Sequence, residues 1–190
     1  MHTTLLTRLQ NWYLTNCDGD WEHSYGISIN TLDNPGWTIK IDLCDTCLQD
    51  LLYDKQIDNG TFDWLFIKVA DKVLEASGDT NKFSVILTIF LDEIIPNYAD
   101  QSFESEVYVQ LIGGPTKIWR PAKAKMISEN TLQIIRLPDL NYKDIRTLTY
   151  EDLTFEEEEI FHYKTNIQVG DNINVELEET FNGVTLIAKE

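Results

Sequence analysis

Residues 18–23, Asp-Gly-Asp-Trp-Glu-His, gather the most chemistry in the shortest stretch of the chain. Asp18, Asp20, Glu22 and His23 are hard-to-borderline metal ligands. Three carboxylates around a tryptophan equally make an acidic patch for a cationic partner. Strand alternation carried back through this stretch puts Trp21 and His23 on one parity and Glu22 on the other, so the side chains diverge. No second histidine stands at ligand spacing, since His2 and His162 are distant. The expectation is therefore no metal and an acidic recognition edge of Asp18, Asp20 and Glu22. His23 is expected to be structural, hydrogen-bonded behind the sheet. Trp21 is expected to reach the surface as the contact anchor. Cys44-Asp45-Thr46-Cys47 has the spacing of redox and zinc sites. Only Cys17 remains as a further thiol, and none of the three heads a loop of basic side chains that lowers a thiol pKa. Cys44 and Cys47 read as strand-end cysteines, with no catalytic residue and no cofactor.

The elements that must hold this stretch follow it directly. Tyr25, Ile27 and Ile29 alternate with Ser24, Ser28 and Asn30, and Trp37, Ile39 and Ile41 alternate with Thr38, Lys40 and Asp42. Period-two patterns of this kind mark two half-buried antiparallel strands. Asn34-Pro35-Gly36 is expected to turn between them, with proline fixing one corner and glycine taking the positive φ that follows. Asp33 and Asn34 then stand at the hairpin tip.

Residues 21–37, WEHSYGISINTLDNPGW, closely resemble the signature of the immunity protein 53 family of bacterial polymorphic toxin systems. The resemblance runs from about Leu9 to Asn97. It takes in Trp12-Tyr13, the Trp64 strand and the Gly78-Asp79 step. It implies a small intracellular antidote, not an enzyme, which binds and neutralises a toxin made by the same cell. The candidate toxin-binding residues are Asp18, Asp20, Trp21, Glu22, Asp33 and Asn34, and His23, Tyr25, Pro35, Gly36 and Trp37 form the structural part of the motif.

Charge points the same way. The 190 residues carry 32 acidic and 15 basic side chains, a net charge of −17 spread over both halves. Such a molecule repels phosphate backbones and attracts a basic protein, so a basic toxin is the expected partner and nucleic acid is disfavoured. Hydrophobic residues make up 43% of the chain, enough for packed cores. No run approaches the ~20 apolar residues of a membrane span, and the odd cysteine count suits a reducing cytoplasm.

Leu5, Leu9, Trp12 and Tyr13 recur at helical spacing, predicting a helix over Thr3–Thr15. Strands are expected around Leu48–Tyr53 and Phe62–Val69. A second helix is capped by Asp79 or Thr80, striped by Phe83, Ile86, Leu87, Phe90, Leu91 and Ile94, and ended by Pro96. The first half thus reads as a four-stranded antiparallel sheet with two helices on one face and the other face open. The period changes near Asn97, which suggests two domains, an immunity-protein-like α+β unit at 1–97 and a β-rich barrel at 98–190. In the second, strands are expected near Glu106–Ile112, Thr116–Ser128, Thr131–Leu137, Ile160–Thr165, Asn172–Glu178 and Val184–Lys189. The turns between them fall at Gly113-Gly114-Pro115, Glu129-Asn130, Gly170-Asp171 and Asn182-Gly183. A small Src-homology-3-like barrel fits that spacing. The stretch from Val107 to Ile127 resembles a recurring bacterial β-module with a core of Thr116, Trp119, Arg120 and Pro121, which brings no activity with it. Residues 138–158 read as a long acidic loop with one helical turn. Lys117, Arg120, Lys123 and Lys125 around Trp119 are expected to pair with the chain's own carboxylates, and Trp37 and Trp64 to sit in the core. Two other classes stay open: a metal- or thiol-dependent enzyme using residues 18–23 or the cysteines, and an adaptor whose barrel binds a peptide.

Overall fold

The computed structural model describes residues 4–113, 118–129, 131–150, 153–180 and 183–189. Thr3, the turn residues Gly114, Pro115, Asn130 and Asn182, Thr116 of the β-module core and Lys117 of the basic group around Trp119 lie outside them. The architecture is α+β. Helix α1 spans Leu5–Asn16, starts at Thr4, whose hydroxyl accepts the Thr7 amide, and buries Leu9 and Trp12. A single helical turn, α2, covers Trp21–Ser24.

Five strands follow: β1 (Ile27–Leu32), β2 (Gly36–Asp42), β3 (Tyr53–Asp58), β4 (Trp64–Ala70) and β5 (Val73–Asp79). They form one antiparallel sheet in the order β1-β2-β5-β4-β3. The four-stranded expectation missed β5, and it placed a strand at Leu48–Tyr53 where the chain mostly turns. The reason is the β4–β5 connection. Asp71 and Lys72 both take positive φ in a two-residue hairpin, with neither glycine nor asparagine to signal it. The β1–β2 turn also differs from expectation. Leu32 pairs with Gly36, so Asp33-Asn34-Pro35 is the loop, and Gly36 is not among the positive-φ residues. Glycine is needed there for space, because a Cβ on Gly36 would run into the Gly78 carbonyl oxygen of β5.

The helix after the sheet runs over residues 83–98, with α3 at Phe83–Thr88 and α4 at Ile95–Tyr98. Between them Ile89–Ile94 winds as a π-helix, closed by the Ile95 amide on the Phe90 carbonyl. Pro96 therefore sits inside the helix instead of ending it. Having no N–H to give, it is accommodated by wider winding just before it. The start is also corrected. Lys82 precedes α3 without a side-chain cap, and Asp79 belongs to β5. Its buried carboxylate accepts the Trp64 amide at 3.0 Å and the Asn81 amide at 2.8 Å. The helices cover the sheet face that carries Ile39, Ile41, Leu65, Ile67 and Leu74. Trp12 meets Phe90 edge to face, and Trp37 packs on Phe83.

Among the described residues the second half has seven strands: β6 (Ser105–Leu111), β7 (Ile118–Ser128), β8 (Thr131–Arg136), β9 (Asn141–Tyr150), β10 (Leu153–His162), β11 (Asn172–Thr180) and β12 (Gly183–Lys189). Five of them close a barrel in the order β11-β12-β6-β7-β8, with β12 parallel to β6. The expected acidic loop over 138–158 is instead the β9–β10 hairpin, paired over ten residues. Glu156–Glu159 lie opposite Asp144-Ile145-Arg146-Thr147, and the run Ile145–Tyr150 is rich in β-branched residues that favour a strand.

Buried apolar residues from both halves belong to one contiguous cluster, from Leu9 and Trp12 through Ile39 to Val107 and Leu186. Arg8 reaches across it, 2.6 Å from Glu129 and 2.7 Å from Asp92. Among the described residues no helix is long and apolar enough to cross a membrane.

Candidate functional site

The acidic stretch is shaped by its own carboxylates. α1 stops at Asn16, and Gly19 takes a φ of 101°, which reverses the chain. Asp18 Oδ1 then accepts the amides of Asp20 at 3.0 Å and Trp21 at 2.9 Å, while Glu22 Oε2 accepts the Gly19 amide at 3.2 Å. These bonds close a turn from Asp18 into the first residue of α2, while Asp20, the residue before the helix, makes no side-chain cap, so the chain folds here as a helical turn and not as an extension of β1. Residues 21–23 are therefore helical and do not follow strand parity.

Trp21 is the clearest correction. It is 2% exposed and lies in an aromatic cluster with Trp12, Tyr13 and Tyr25, at centroid distances of 6.1, 5.7 and 6.0 Å. Its Nε1 donates to the Cys44 carbonyl at 2.8 Å, satisfying the ring's one polar group. It anchors the loop and offers no surface to a partner. His23, expected behind the sheet, is exposed. Trp64, expected in the core, is half-buried beside Phe66 on the face away from the helices.

Asp18 and Asp20 are exposed and line a groove of about 730 Å³ together with His23. The opposite wall comes from the second half, with Glu104, Glu106, Tyr108 and Lys123, and Asp45 adds a further carboxylate. Lys123 Nζ lies 3.0 Å from Glu106, so the lysine found among the described lining residues is already paired. The carboxylates outnumber the cations around this space. Asp45, Glu104 and Glu106 were not legible as site residues, because nothing local in sequence ties them to Asp18.

The hairpin tip is elsewhere. β1 separates Asp33 and Asn34 from the acidic turn by six residues, roughly 20 Å of extended chain. Asn34 faces a different hollow, with Asp58, Gly60 and Trp64. The structure therefore brings Asp18 and Asp20 together but does not join them to Asp33 and Asn34. Pro35 is exposed at the tip, and Gly36 and Trp37 hold the base of β2.

Cys17 and Cys47 are both buried. Burial pushes the Cys17 thiol up to about 11, with the Glu22 carboxylate adding to the effect, and burial pushes Cys47 up to about 12. Both are protonated thiols at neutral pH, the unreactive form. Among the described residues no set of three His, Cys, Asp or Glu side chains is placed to hold a metal ion.

Residues 6–94 match the family model described as immunity protein 53. That span agrees with the likeness carried by residues 21–37 and covers α1 from its second residue, the whole five-stranded sheet and most of the helix after it. No curated protein and no solved structure matches the chain.

Proposed function

We propose that this chain, whose first half carries the immunity protein 53 match, is a non-catalytic antidote that binds a toxin protein and blocks it. The family match is the observation that carries this reading. The acidic groove supports a basic toxin, since its lining carboxylates, with Lys123 already paired, favour a cationic segment and raise the rate of encounter. Asp18, Asp20 and Glu22 contribute in different ways. Asp20 faces the groove, while Asp18 and Glu22 also hold the turn that presents it. The same field disfavours nucleic acid as partner. The hairpin tip, Asp33 and Asn34, is a second and separate contact area.

The test is co-expression with the toxin domain encoded beside this chain's gene, followed by binding of the Asp20→Asn, Asp45→Asn double variant. The wild type is expected to rescue growth and form a stoichiometric complex. Loss of two groove charges is expected to weaken binding by about tenfold and to flatten its salt dependence. Unchanged affinity and salt dependence would take the groove out of the interface.

A further inference from the structure

The two outer strands of the five-stranded sheet are built differently. β3 reads Tyr-Asp-Lys-Gln-Ile-Asp, three charges in six residues, whereas β1 reads Ile-Ser-Ile-Asn-Thr-Leu, with no charge and no proline. Charge, proline and bulges are how natural edge strands turn away another strand. β1 pairs with β2 through six consecutive partners without a bulge. The Asp42 amide sits on the Gly26 carbonyl at 3.0 Å, which makes Gly26, Ser28 and Asn30 the residues bonded to β2. The N–H and C=O groups of Ile27, Ile29 and Thr31 then point away from the sheet. Among the described residues no other strand pairs with that side of β1. An apolar groove of about 640 Å³ runs between β1 and α1, lined by Leu9, Tyr13, Leu14, Ile27 and Ile29. Ile29 is 38% exposed there.

We infer that the outer edge of β1 receives an extended segment of the toxin, which adds a sixth strand and lays alternate apolar side chains into the groove. The inference rests on the antidote reading above, and it names where and how the partner docks. Backbone bonds along the edge supply binding that tolerates sequence, and the groove supplies preference for apolar residues at every second position. Charge selects the occupant. A second copy of a chain carrying −17 is repelled, while a basic protein is drawn in, and β1 itself places no charge against either. The acidic turn runs through Tyr25 and Gly26 straight into β1, so the charged groove lies at one end of this edge.

Amide hydrogen exchange on the full chain, free and with the toxin domain encoded beside its gene, tests this. In the free chain the Ile29 and Thr31 amides exchange faster than those of Ser28 and Asn30. In the complex they become protected by at least about tenfold. Ile29→Lys, which puts a charge into the groove, weakens binding by at least about tenfold. Thr31→Pro removes one outward N–H without touching the β2 ladder and gives a comparable loss, with melting curves reporting that each variant is folded. A complex in which both amides stay fast and both variants bind as wild type overturns strand addition and leaves the antidote reading standing. Absence of any complex with the wild type overturns both. Protection that grows with concentration in the free chain assigns the edge to a second copy and overturns the occupant proposed here.

Discussion

Trp21 shows how a single side chain changes role when its backbone does. Its neighbours in sequence are charged, which suggests a surface anchor, yet the turn that Asp18 closes with the Asp20 and Trp21 amides folds the ring inward against Trp12 and Tyr13. Trp21→Ala is expected to cost about 3–5 kcal/mol of stability, as for other fully buried aromatic rings, and denaturant unfolding measures it. Binding is expected to change only through that loss of folded protein. Asp79 is the second residue with a structural task. The Asn81 and Trp64 amides, with Lys82 3.6 Å away, hold its carboxyl below the usual carboxylate range. Its contribution is complete above the unfolded value of about 4 and is lost as pH falls from there through the lower folded value. Asp79→Asn is therefore expected to lower the melting temperature at neutral pH. It is also expected to flatten the acid side of the stability profile. Equal acid sensitivity in both proteins would contradict this.

Between neighbouring strands, what was legible and what was not follows from turn chemistry. The β1–β2 hairpin was readable because period-two alternation survives on both sides of Asp33-Asn34-Pro35. β5 was not, since Asp71-Lys72 adopts a turn that usually advertises itself with asparagine or glycine. The β9–β10 hairpin was hidden by four consecutive glutamates, which look solvated wherever they lie. The acidic turn is legible as a place to look, but its far wall is not, because Glu104, just ahead of β6, and Glu106, within it, lie far along the chain from Asp18 and Asp20. Gly36 carries the tightest of these constraints. Its hydrogen faces the Gly78 carbonyl oxygen, and Gly78 in turn has Lys82 Cβ 2.6 Å from where its own Cβ would stand. Gly36→Ala is expected to destabilise by about 1–3 kcal/mol through overpacking, measured by thermal unfolding. Gly60 has open space around it but a φ of 105°, so alanine there costs through backbone strain alone.

Across the molecule the two halves share more than a linker. Arg8 of α1 bonds Glu129 beside the barrel, the Cys47 thiol lies 3.6 Å from Met126 sulfur, and the Asp100 amide donates to the Cys47 carbonyl at 2.7 Å. A chain cut after residue 97 loses Glu129 and Met126 and uncovers part of the common core. Residues 1–97 expressed alone are therefore expected to melt at a lower temperature than the full chain. An unchanged melting temperature would establish the division at residue 97 as one between self-sufficient domains. Partner binding by residues 98–190 alone would favour the adaptor reading. The antidote reading itself stands or falls on one measurement, co-purification and growth rescue of the full chain with the toxin domain encoded beside its gene. Survival and a stoichiometric complex that weakens as salt rises are expected. Continued killing with no complex at low salt would contradict it.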